Sequence, residues 1–172
     1  MQVIVDKEIF KNDTIERDRW NWGNISWGNK WVTDPAWNNE SCWYSAYRLS
    51  FKLSKATKLR FHVSADQRYK LYLDGEQIGF GPDRGDDFNW FYQTFDEKLA
   101  AGKHTIVAFV GFATGLGYEH NGHFGNSPAF MLHAEDDFDE LLDTGKGKWE
   151  VLTITDIKPL PAFGLGYFHC VG

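Results

Sequence analysis

Cysteine is scarce in this chain: two residues among 172, Cys42 and Cys170. Neither belongs to a Cys-x-x-Cys pair, which excludes a zinc ribbon and a thioredoxin-type centre. The two are read as reduced thiols rather than as a disulfide framework. Long apolar runs are also missing, and nothing approaches the roughly 18 residues that a membrane span needs. Basic character is thin. Lys and Arg number 18 against 24 Asp and Glu, giving a net charge of −6. The cations are scattered without a basic stripe, which argues against nucleic acid as a partner. The first eight residues lack the basic-then-apolar pattern of a signal peptide, so a cytoplasmic location is expected, with secretion left open. There is no Gly-x-Ser-x-Gly elbow, and Gly79-Phe80-Gly81 lies on a hairpin rather than before a helix, so it is no phosphate loop. No internal repeat, low-complexity tract or series of amphipathic helices is visible.

What is abundant is aromatic. Phe, Trp and Tyr make up 17% of the chain, with eight Trp, six of them between Trp20 and Trp43. Aromatic rings serve both core packing and stacking on sugar C–H faces, and packing takes the larger share for any single Trp. The Trp20–Trp43 segment, rich in Asn, Gly and Ser, reads as an extended cover over one end or edge of the fold.

Period-two alternation dominates the rest. Tyr47, Leu49, Phe51 and Leu53 alternate with polar residues, as do Leu59, Phe61, Val63 and Ala65, then Tyr69, Leu71 and Leu73. Asp74-Gly75 supplies the positive backbone angles of a two-residue hairpin turn, with a return strand over Gln77–Phe80. His104–Phe112 is apolar on both faces and is expected at the centre of a sheet. Further strands are expected at Val3–Val5, Ala129–Ala134 and Trp149–Ile154. Asp136–Leu142 reads as one helical turn or a loop. Short strands with Gly, Asp and Asn turns predict an all-β fold: an antiparallel β-sandwich of jelly-roll, galactose-binding-like type with little helix. The expected domain covers residues 1–157. Residues 158–172, with Pro159, Pro161, Gly164 and Gly166, read as a linker or docked tail toward a following domain.

Two loops carry candidate chemistry. The first is Asp83-Arg84-Gly85-Asp86-Asp87-Phe88-Asn89-Trp90. Clustered carboxylate and amide oxygens suit calcium, and carboxylates beside Arg84 and Trp90 suit sugar hydroxyls with stacking. The alternative is a solvated acidic loop with surface ion pairs worth roughly 0–1 kcal/mol. The second is Tyr118-Glu119-His120-Asn121-Gly122-His123-Phe124, where Tyr118 and His120 offer polar and stacking contacts. A transition metal at His120 and His123 is the lesser reading, because His-x-x-His in a Gly-rich loop fits a cupin-type site poorly. Among so many carboxylates some pair will fall roughly 5–10 Å apart by chance, and nothing marks one as a glycosidase pair. Arg68, beside Asp66, reads as a turn contact, with Tyr69 in the core.

The stretch from Phe61 to Val110 also carries a resemblance. Ala65-Asp66 ends a strand. Tyr69-Lys70-Leu71-Tyr72-Leu73-Asp74-Gly75 forms a hairpin. Gly81-Pro82-Asp83-Arg84-Gly85 follows, then Phe95-Asp96 and Leu99-Ala100-Ala101-Gly102-Lys103-His104. In order and spacing this resembles the non-catalytic β-sandwich near the N-terminus of bacterial alpha-L-rhamnosidases and similar large glycoside hydrolases. It covers about half the chain. Two positions depart: Asp74 and His104 stand where that pattern has Asn. The resemblance implies an accessory domain without catalytic residues, since the acid and base of those enzymes sit on an all-helical barrel. It implies a catalytic domain of the same polypeptide and a carbohydrate, a rhamnose-containing glycan among the choices, as partners. Calcium is the implied cofactor candidate. A purely structural interdomain module is the alternative, and would show exposed apolar contact surface.

Overall fold

The computed structural model describes residues 2–3, 31–83, 91–113 and 127–157. The strands are β1 (Gln2–Val3), β2 (Cys42–Leu53), β3 (Thr57–Ala65), β4 (Arg68–Leu73), β5 (Glu76–Gly81), β6 (Phe91–Leu99), β7 (Gly102–Ala113), β8 (Phe130–Ala134) and β9 (Glu150–Thr153). A 3-10 turn (Asp136–Phe138) runs into a short helix, α1 (Asp139–Leu142). Among the described residues the strands form two antiparallel sheets. One has the order β1-β6-β3-β8, the other β5-β4-β7-β2-β9. This is the expected antiparallel sandwich, with β7 central. Residues 4–30, which include the first part of the expected Trp-rich cover with Trp20, Trp22 and Trp27, and the expected tail 158–172 lie outside the described residues.

The alternating side chains decide which face turns inward. Tyr47, Leu49, Phe61, Leu71, Ile106 and Leu132 meet between the sheets and are buried. Tyr47 stacks on Phe130 at 5.4 Å, and Phe61 on Phe95 at 5.5 Å. Trp149 sets its ring edge against Phe130 and donates its indole N–H to the Leu142 carbonyl at 2.9 Å. That is packing, as expected for a single Trp. Gly79 allows the sheets to close. A Cβ there would lie 2.6 Å from the Phe95 ring.

The outer face of β3 departs from simple alternation. His62 and Ser64, polar and expected outward, are buried. In register, His62 faces His133 and Thr94 on the two flanking strands. Its Nε2 meets Glu135 and its Nδ1 meets the Thr94 hydroxyl, each at 2.9 Å. Period two assigns a side chain to a face but does not say whether that face is covered.

The connections divide by length. The tight turns 54–56, 74–75 and 100–101 all lie at one end, as the pairing of Leu53 with Gly102 and of Thr57 with Leu99 shows. The connections 82–90 and 114–129 begin and finish at the other end, with the β3–β4 turn. At the tight-turn end Asp74 and Gly75 have φ of 51° and 90°, the left-handed pair a two-residue hairpin needs. Asp74 also holds the neighbouring strand. Its Oδ1 accepts the Thr105 N–H at 2.8 Å and its Oδ2 meets His104 Nδ1 at 2.7 Å. His104 Nε2 donates to the Ala100 carbonyl at 2.9 Å. The two departures from the rhamnosidase-like pattern are therefore partners of each other.

Both neighbours of the His104 ring are acceptors, so the charged imidazolium satisfies both. The Asp74 carboxylate and then the Ala100 carbonyl raise its pKa. Burial presses the Asp74 carboxyl upward, but donors from His104 and Thr105 outweigh it and hold the group below its ordinary value. The His104 contribution is complete below its unfolded value of about 6.5 and is lost as pH rises through the raised folded value. We expect unfolding free energy to fall by about 0.5–1 kcal/mol across that rise, a figure reduced because Asp74 is partly exposed. His104→Asn should flatten this slope in urea titrations run at stepped pH. An unchanged slope would remove the pair from the account.

Candidate functional site

The β3–β4 turn is the hub of the end that carries the long connections. Four of its side chains reach the four feet of two connections. Ser64 Oγ donates to the Phe91 carbonyl at 2.8 Å. The Arg68 guanidinium donates to the Pro82 carbonyl. These are the two feet of connection 82–90. Gln67 Nε2 donates to the Ala113 carbonyl at 3.0 Å, and its Oε1 accepts the Ala113 N–H at 2.8 Å. Asp66 Oδ2 accepts the Ser127 N–H at 2.9 Å. These are the feet of the β7–β8 connection. Asp66 and Gln67 are buried, where unpaired polar groups are disfavoured, so each side chain replaces a strand partner that the ladder no longer supplies. Because one turn holds all four feet, both connections start and finish side by side.

A second anchor docks residues 31–41 at this end. The buried Asp34 carboxylate gathers four donors. Its Oδ1 accepts the Ala36 N–H at 2.9 Å. Its Oδ2 accepts from Thr153 Oγ1 at 2.7 Å, Ser45 Oγ at 2.8 Å and Trp43 Nε1 at 3.1 Å. Burial is the largest single influence and presses the carboxyl pKa upward, but the four donors together hold it below the ordinary carboxylate value. Tyr47 completes the anchor by donating its hydroxyl to the Pro128 carbonyl at 3.1 Å. Trp37 sets its ring edge against Phe112 at 5.8 Å. Both indoles here serve packing and hydrogen bonding.

Of the site residues expected from sequence, Asp83 is described: it is exposed, directly after the pinned Pro82. Arg84, Asp86, Asp87, Asn89, Trp90, Tyr118 and His120 lie outside the described residues, as do Glu119 and His123. Among the described residues no group of three His, Cys, Asp or Glu is placed to hold a metal ion. Cys42 is a half-buried free thiol, and Cys170 lies outside the described residues. Tyr69 is in the core as expected. Its hydroxyl donates to Gln93 Oε1, and burial pushes its pKa up. Asp66 and Arg68 do more than mark a turn, since each holds a backbone group of a different connection. Sequence reading passed over Gln67 altogether. Its signal is the run Asp66-Gln67-Arg68, polar side chains crowded where the apolar alternation stops at Ala65.

Fold and arrangement define a class: a two-sheet antiparallel sandwich whose long connections are gathered at one end. No sequence-family model matches the chain, and no curated protein sequence matches it either. Solved structures do. The GH78 family rhamnosidase of Bacillus sp. GL1 matches with a TM-score of 0.58 and 22% identity, over 75% of this chain and 14% of that one. The alpha-L-rhamnosidase of Dictyoglumus thermophilum matches with a TM-score of 0.50 and 20% identity, over 74% of this chain and 17% of that one. The likeness is one of fold, and this chain spans only a small part of the length of those enzymes.

Two substitutions test the anchors. Gln67→Ala leaves the Ala113 N–H and carbonyl without their partner and should lower the unfolding free energy by about 2–3 kcal/mol in urea titration. Asp34→Asn should lose about 1.5–3 kcal/mol at neutral pH, the range for hydrogen bonds to a charged group. With a depressed folded pKa, the Asp34 contribution is present above the unfolded value of 3.8 and lost as pH falls through the folded one. The Asn variant should therefore lack that part of the acid destabilisation.

Proposed function

We propose that this chain is a non-catalytic accessory domain of an alpha-L-rhamnosidase-like glycoside hydrolase. Its work is to contact glycan, or to shape the substrate cleft of a catalytic domain in the same polypeptide, at the end where the long connections begin. One observation carries the reading. The two stretches that sequence singles out, 83–90 and 118–124, belong to the two connections whose feet the same turn pins together. The fold-level likeness to two rhamnosidases, of which this chain matches one small part, supports it.

In this reading Trp90 and Tyr118 stack on the sugar ring. Asp83, Arg84, Asp86, Asp87, Asn89 and His120 supply hydrogen bonds, and calcium is held by the carboxylates of the first stretch. A rhamnose-containing glycan is the ligand class. Few contacts to a single sugar give weak binding, about −4 to −6 kcal/mol, or millimolar to high micromolar.

An NMR titration with L-rhamnose and a panel of other monosaccharides, with and without calcium, tests this. Saturable shifts of Trp indole and loop resonances for one sugar are expected. Asp83→Ala together with Asp86→Ala should weaken them about tenfold, near 1.4 kcal/mol. Silence for every sugar at roughly tens of millimolar overturns the binding role and leaves a module that supports its neighbouring domain.

A further inference from the structure

We propose that the outer face of the five-stranded sheet is a binding surface for an acidic polysaccharide, centred on Lys70. The strand register builds it. Phe80 on β5 lies opposite Lys70 on β4, and Lys70 opposite Phe109 on β7. Phe109 lies opposite Ala46 on β2, and Ala46 opposite Leu152 on β9. One row thus crosses the whole sheet. Phe80 is 69% exposed, Leu152 67% and Phe109 42%, although each is large and apolar. Along β4, Arg68 and Tyr72 flank Lys70 on the same face. Tyr72 sets its ring edge against Phe109 at 5.7 Å. Lys70 is therefore framed by Phe80, Phe109, Tyr72 and Arg68.

Charge sets the ligand class. The chain carries a net charge of −6, yet this face presents Arg48, Lys52, Arg68, Lys70 and Lys103. The acid on β9, Glu150, is taken up by Arg48 at 2.6 Å. Lys52 and Lys103 stand directly opposite one another, an unfavourable pairing of like charges. Among the described residues neither they nor Lys70 makes an ion pair. An excess of cations on one face of an acidic protein draws an anionic partner.

The layout separates a polysaccharide from a protein. Protein interfaces have contiguous apolar centres depleted in lysine. Here Lys70 stands inside the row and divides Phe80 from Phe109. The Phe80 and Phe109 positions are two strand spacings apart, about 9.5 Å. That suits every second unit of a pyranose chain, whose C–H faces lie on the rings while a ring carboxylate reaches Lys70. A second copy of this face would set cations against cations. The site shares its class of ligand with the loop-end reading and borders Arg68, which holds Pro82, but uses none of the residues proposed there to touch the sugar.

Polygalacturonate is the probe, measured by calorimetry and affinity electrophoresis. Its fully methyl-esterified form keeps the rings and loses the charge, and polyglutamate keeps the charge and lacks the rings. Saturable binding to polygalacturonate is expected, weakening as salt is raised. Both control polymers should bind at least about tenfold more weakly. Lys70→Glu, and Phe80→Ala with Phe109→Ala, should each remove binding while circular dichroism shows the fold retained, because none of these side chains lies between the sheets. Equal binding to polyglutamate or to the ester, or indifference to these substitutions, overturns the proposal. So does sedimentation showing a dimer that the Phe80 and Phe109 changes dissolve. A chain that answers a monosaccharide through its Trp indoles but ignores polygalacturonate loses the sheet-face site and keeps the loop-end site. The reverse result separates them the other way.

Discussion

Buried backbone groups must find hydrogen-bond partners, and at one end of this sandwich polar side chains supply them. Strands satisfy their own ladders until they end. Where β5 and β7 stop and just before β8 starts, the Pro82, Ala113 and Ser127 backbone groups turn to Arg68, Gln67 and Asp66. Asp34 does the same for the Ala36 N–H and also collects three side-chain donors. The opposite end needs none of this on the same scale. Its turns are short, and Asp74 alone bridges the hairpin to Thr105.

This division of labour gives the two ends different capacities. Tight turns leave little chain free to vary. Long connections whose feet are pinned can change in length and composition without disturbing the core, which is why binding groups gather on such segments. The same logic reappears where the 3-10 turn and α1 meet β8. Asp143 Oδ1 accepts the Ala134 N–H at 2.7 Å, and its carboxylate meets His133 Nδ1 at 3.1 Å. Thr144 returns to Leu132 with its backbone N–H at 3.0 Å. A segment with hardly any regular helix is thereby tied to a sheet edge. The five-stranded sheet is treated differently on its outer side. There the row from Phe80 to Leu152 stays exposed, although the neighbouring polar side chains would have served as well for solubility.

The candidate loop-end site was only partly legible in the sequence. Asp83, the turn at Asp74-Gly75 and the strand containing Tyr69 could be placed from local pattern, because alternation and turn chemistry are local. The clamp could not. Gln67 looks like any polar residue after a strand until Ala113 is brought beside it, and Asp34 gives no hint of Thr153. The exposed row is of the same kind. Phe80, Lys70, Phe109, Ala46 and Leu152 are scattered through the chain, and only the register sets them in line. His104 illustrates the intermediate case. It is visible as a departure from the rhamnosidase-like pattern, but its reason is a partner on another turn.

The sequence by itself determined the all-β class, the inward face of β2, β3 and β4, the hairpin turn and the central place of β7. Each follows from side-chain period or from backbone angles that one or two residues demand. Only the tertiary structure decided that His62 and Ser64 are buried, which side chains hold the feet of the connections, and which residues share the outer row. Those depend on strand order and register, which are set by long-range pairing across two sheets. A periodic pattern records the face a residue takes, and carries no record of what lies opposite it.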